Sequence, residues 1–182
     1  MTMIKTLVLG IVLGMGLPVL AGFLFLLLGG MPVTTTDTPL PFERYLAKHA
    51  LKAAMRKEIG RRAPMPPDDT NLLAGAHVYR EQCAVCHGLP NQPRGAIAQG
   101  MFPRPPALFA PDEGVTDDPE GKIYWKVKYG IRLTGMPGFH ESLSETELWQ
   151  VSLLLLKANQ LSEPVRQSLH PARTDAHGTL GR

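Results

Sequence analysis

A chain of 182 residues, 44% of them hydrophobic, leaves room for one modest domain plus extensions. Its formal charge of +3 is spread unevenly: residues 1–69 carry eight basic and five acidic side chains, residues 70–162 eight and nine, and residues 163–182 three and two. The centre of the chain is almost neutral, so it lacks the basic face expected of a nucleic-acid-binding domain, and no nucleic acid is expected as a partner.

The first predicted element is a membrane span. Residues 6–31 hold no charged side chain, and as a helix they reach roughly 39 Å at 1.5 Å per residue, enough to cross a hydrocarbon core of about 30 Å. Pro18 falls inside the run, where a spanning helix tolerates it. Val19-Leu20-Ala21 resembles a signal-peptide cleavage site, but the apolar stretch Phe23-Leu24-Phe25-Leu26-Leu27-Leu28 follows it directly. Residues 1–31 therefore read as an uncleaved anchor in a lipid bilayer. Lys5 precedes the run and favours a cytoplasmic N-terminus, whereas the seven basic residues between 44 and 62 favour the reverse.

Residues 32–69 read as a linker with a basic amphipathic helix. Residues 32–41 are rich in Pro and Thr. From Phe42 to Ile59, Ala47, Leu51, Met55 and Ile59 recur at four-residue steps, and Gly60 suits the position just past a helix end. Arg44, Lys48, Lys52 and Arg56 run down another side, a stripe suited to anionic headgroups, to a partner subunit or to a solvated spacer. Ala63-Pro64-Met65-Pro66-Pro67 breaks the helix.

The only two cysteines lie in Cys83-Ala84-Val85-Cys86-His87. A C-x-x-C pair fits a redox dithiol, half of a zinc site or a haem attachment point, and C-x-x-C-H is the pattern of the last. Two thiols at that spacing reach two vinyl groups of haem, and the histidine that follows lies beneath the iron as proximal ligand. Residues 71–86 are predicted as one helix with Leu72, Ala76, Tyr79 and Cys83 on one face and Gly75 where another helix could approach. For a sixth ligand the domain offers Met101 and Met136. Met136 stands in Thr134-Gly135-Met136-Pro137-Gly138-Phe139, a turn-rich loop between two predicted helices, and is the favoured thioether. Met101, in a Pro-rich stretch soon after His87, reads as packing. His77 and His140 read as core or surface residues.

Asp118 as N-cap, Pro119 at the first helical position and Gly130 past the end delimit the next helix, whose apolar stripe is Ile123, Val127 and Ile131. Ser144-Glu145-Thr146-Glu147 is a capping box opening the last one, with Leu148, Val151 and Leu155 on the face expected to cross the first near Gly75. Residues 163–182 are polar with scattered Gly and Pro and read as a disordered tail. His170 and His177 are too isolated there to propose as metal ligands.

Residues 70–160 resemble a class I single-haem cytochrome c domain in the order of their parts: Gly75-Ala76-His77-Val78-Tyr79, Cys83 to Gly88, Pro103-Arg104-Pro105-Pro106-Ala107-Leu108, Trp125-Lys126-Val127-Lys128-Tyr129-Gly130-Ile131, the Met136 loop, and Leu148-Trp149. The resemblance covers about half the chain and leaves out the anchor, the basic helix and the tail. It implies an all-α fold around one covalent haem c over residues 70–162, with His87 and Met136 as axial ligands. It also implies that a carbonyl within Pro103 to Pro106, Pro105 and Pro106 included, accepts the second N–H of the proximal histidine. Arg104 and Trp125 are candidates to reach a haem propionate, each with an ordinary structural alternative.

Haem attachment outside the cytoplasmic membrane, as the family has it, puts the domain in the bacterial periplasm with Lys5 inside. The expected activity is electron transfer between redox partner proteins. The chain would act as a tethered carrier or as a subunit of a respiratory or dehydrogenase complex, rather than as an enzyme in its own right. The competing class is a haem enzyme or gas sensor with a displaceable sixth ligand.

Overall fold

The computed structural model describes residues 2–170, and all of the regular structure there is helical. The chain forms two compact units that divide between Lys48 and His49.

In the first unit, α1 runs from Thr2 to Leu27 with Pro18 inside it. Its stretch Met3–Leu27 is long and apolar enough to cross a membrane, and its side chains are exposed throughout. The sequence placed the span at residues 6–31; the helix starts earlier, takes in Lys5, and stops four residues sooner. The stop has a local cause. Gly29 adopts φ 77°, Gly29 N–H donates to Leu26 O at 3.2 Å, and Gly30 N–H donates to Phe25 O at 2.8 Å. That pairing is a Schellman cap, which a left-handed glycine permits. In the linker, Asp37 accepts from the amides of Val33 and Thr34, which holds its carboxyl below the usual range.

α2 spans Glu43–Met55, and Arg44, Lys48, Lys52 and Arg56 are all exposed along it and just beyond. It ends four residues before the predicted end at Ile59. Arg56, Lys57 and Glu58 are good helix formers, so propensity is overridden by packing. Met55 is buried, and the Glu58 carbonyl lies so close to Gly121 that no side chain fits there. Beyond it, Glu120 accepts from Ala63 N–H at 2.9 Å. The folded unit thus includes chain well before residue 70.

α3 (Asp69–Val78) opens on Asp68, whose carboxylate accepts from Asn71 N–H at 3.0 Å. The predicted uninterrupted helix over 71–86 is not what forms. A π-helical turn occupies Tyr79–Cys83, and α4 (Ala84–His87) follows it. Next come α5 (Ala96–Gly100), α6 (Glu120–Tyr129), α7 (Glu145–Leu156) and α8 (Glu163–Ser168).

The core lies where α3, α6, α7 and α8 meet. Leu72, Ala76 and Tyr79 pack with Ile123, Tyr124, Val127, Leu148, Val151 and Leu154. α3 crosses α7 at Gly75, whose Cα face lies against the backbone of Gln150. This is the crossing the sequence implied, and it is pinned by Gln150 Nε2 donating to Asn71 Oδ1 at 3.2 Å. The capping box of α7 forms as read: Ser144 Oγ accepts from Glu147 N–H, and Glu147 accepts from Ser144 N–H.

α6 departs by one position. Pro119 takes the N-cap and Asp118 makes no cap; its carboxylate instead holds Lys122 and Lys126. Two lysines one turn apart offer that carboxylate stronger, charged partners than a helix amide does. The tail is corrected too. Val165 and Leu169 are completely buried, so Glu163–Leu169 is part of the core and not a disordered segment. Four residues apart on one helical face, they complete the apolar contact that α3 leaves open. Residues 171–182, His177 among them, lie outside the described residues.

Candidate haem-binding cleft

The π turn places the motif. Its extra residue lets the chain bend between α3 and α4, and the Tyr79 hydroxyl, on the buried side, donates to Gly88 O at 2.7 Å. Gly88, at φ 75° and ψ 176°, ends α4 immediately after His87 in a conformation reserved for glycine. Cys83, Cys86 and His87 therefore project into one space with no helix continuing over them.

That space is a cleft of about 130 Å³, open to solvent. It is lined by Cys83, Cys86 and His87 from the motif and by Ile131, Thr134, Gly135, Met136 and Pro137 from the loop after α6. Val127, Phe139, Leu155 and Leu108 add apolar surface, and Met101 and Pro103 to Pro106 complete the lining.

Both cysteines are free thiols and half-buried. Burial, with Cys86 adding to it, pushes the Cys83 thiol up to about 12, so it stays protonated in the apolar cleft. His87 Nδ1 lies 2.8 Å from Pro106 O. An imidazole donating Nδ1–H to a carbonyl is fixed in the tautomer that leaves the Nε2 lone pair available. Burial lowers the pKa of this ring, opposed by the Pro106 bond and reinforced by Arg94 nearby, and keeps it neutral, as a metal ligand must be.

The Met136 loop is held by backbone rather than by bulk. Ile131 N–H donates to Met136 O at 3.2 Å and Phe139 N–H to Val127 O at 3.1 Å. Thr134 ties the middle, its hydroxyl donating to Ile131 O at 2.6 Å and accepting from Met136 N–H at 3.2 Å. Gly130 and Gly138 allow the close approach, since a Cβ on Gly130 would stand 2.5 Å from Gly138 N.

The structure thus brings together Cys83, Cys86, His87, Met136, Arg104, Pro105 and Pro106, and singles out Pro106 among the prolines as the acceptor for His87. Arg104 lies on the cleft side and is exposed. Trp125 is not among the lining residues. α6 turns Val127 inward, and Trp125, two positions earlier and about 200° around the helix, stacks obliquely on Tyr129 at 5.5 Å. His77 pairs with Glu81 on the surface, and His140 is exposed. Met101 lines the cleft, a placement the sequence did not signal.

A comparison with curated proteins finds no match. Residues 70–153 match the model of the family described as cytochrome C oxidase, cbb3-type, subunit III. That similarity supports a c-type cytochrome domain over these residues, with haem binding and electron transfer as its chemistry.

Proposed function

We propose that the chain is a membrane-anchored electron carrier, in which residues 70–162 hold one haem c and residues 1–31 tether it to a bilayer with the domain on the periplasmic side. The observation that carries this reading is the bond from His87 to Pro106 O. It leaves Nε2 as a ready ligand in a cleft that is also lined by two free thiols and a loop-borne thioether.

The residues present fit the group. Cys83 and Cys86 would hold it by thioethers, each S–H adding across one vinyl group, and His87 and Met136 would supply an imidazole nitrogen and a thioether sulfur. When bound, the haem supplies an iron that alternates between ferric and ferrous states. The chain's own part is to keep both ligands in place across that change and to exclude water. Pro106 fixes the His87 ring, Thr134 and Gly130 fix the Met136 loop, and Leu108, Val127, Phe139 and Leu155 keep the inner end apolar. A thioether as the second protein ligand would raise the potential relative to a second histidine. The matched family is named for a subunit of a cytochrome oxidase, which supports looking for this chain's partners in a membrane oxidase complex.

Optical spectra of the full chain in detergent test the reading. The oxidised protein is expected to be low-spin with a sulfur-to-iron charge-transfer band, and the reduced protein to bind carbon monoxide poorly. A high-spin spectrum with ready carbon monoxide binding would instead favour a haem enzyme or sensor.

A further inference from the structure

The bonds that hold the Met136 loop engage Ile131, Thr134 and Met136, and they leave the intervening Gly135 to another contact. Both atoms within 4 Å of the place where a Gly135 Cβ would stand belong to Met101: its Cε, in close contact, and its Sδ at 3.5 Å. Met101 is half-buried and lines the same cleft as Met136. It directly follows α5 and begins the segment whose other end supplies Pro106 O to His87. One stretch of chain, Met101 to Pro106, therefore touches the His87 side through a carbonyl and the Met136 side through a side chain.

We propose that Met101 is a positioning residue for Met136: its side chain covers the Gly135 face and resists the outward swing of the loop that would release the Met136 sulfur. This rests on Met136 being the axial ligand. Met101 acts by contact, not by ligation. Unbranched and flexible, methionine fills the irregular space beside a bare glycine as few side chains can. Leucine, close to it in volume, should replace it, whereas alanine should not.

The test uses the full chain with its haem in place. Met101→Ala should keep the charge-transfer band at low temperature, lose it on mild heating before the helices unfold, and bind carbon monoxide in the ferrous state about ten-fold more tightly, equivalent to about 1.4 kcal/mol. Met101→Leu should restore both properties. A Met101→Ala protein that matches the unaltered one in both measurements overturns the proposal. So does a Met101→Leu protein that behaves like Met101→Ala, or the loss of the band at all temperatures in both variants, which would make Met101 itself a ligand. Met136→Ala is the separate control. If it keeps the band, the ligand assignment beneath the proposal fails, whatever the Met101 variants show.

Discussion

The backbone of Gly130 stands at φ 67° and ψ −170°, and a Cβ there would lie 2.5 Å from Gly138 N and 2.7 Å from Met136 O. Only glycine adopts that conformation without strain, and a side chain would push directly on the loop that carries the candidate ligand. Gly130→Ala should therefore cost about 1–3 kcal/mol from the backbone alone. Thermal unfolding of the haem-loaded protein would measure the loss, and the charge-transfer band should weaken with it. The chemistry-bearing residues were largely legible in the sequence because their spacing is local. Cys83, Cys86 and His87 fall within five positions, and Met136 sits between glycines and a proline whose turn character is intrinsic. The place of Met101 in the cleft was not, nor was the choice of Pro106 among the candidate prolines, because both depend on which residues the fold brings beside them, and nothing in their neighbours' identities encodes that. That Trp125 does not line the cleft was hidden for the same reason, since it follows from helical phase.

At the scale of elements, one carboxylate ties the segment between α5 and α6 to Arg94. Glu113 accepts from Ala107 N–H at 2.6 Å and from Arg94. The Ala107 amide and then Arg94 draw its pKa below the ordinary value, with Arg104 adding a smaller pull. A carboxyl depressed on folding contributes stability that is fully present above its unfolded pKa of about 4.3 and is lost as pH falls through the lower folded value. Stability measured by denaturant titration should therefore decline below about pH 4.3, and Glu113→Gln should flatten that decline while leaving the protein weaker at neutral pH. Helix termini written by short motifs were readable: the Ser144 box forms as expected. The π turn at Tyr79–Cys83 was hidden because one extra residue per turn barely disturbs an apolar stripe. The early end of α2 was hidden because it is imposed by Gly121, far along the chain. Asp118 shows a competition that sequence alone leaves open, between capping a helix and binding two lysines.

For the molecule as a whole, the all-helical architecture was what the resemblance to a class I cytochrome c domain implied, but its extent was not. Val165 and Leu169 stand among polar residues, and only the assembled groove of α3 shows that they complete the core. Leu169, with no exposed surface, should cost about 2–5 kcal/mol when changed to alanine, read as a lower unfolding midpoint; an unchanged midpoint would return residues 163–170 to the status of a tail. The central claim is that one iron is held between His87 and Met136, and the oxidised spectrum of Met136→Ala tests it most directly. The variant is predicted to keep its haem attached, lose the sulfur-to-iron band, bind carbon monoxide readily when reduced and shift to lower potential, since a water or nitrogen ligand favours ferric iron over what a thioether allows. A Met136→Ala protein that retains the band and the potential of the unaltered chain would contradict the account.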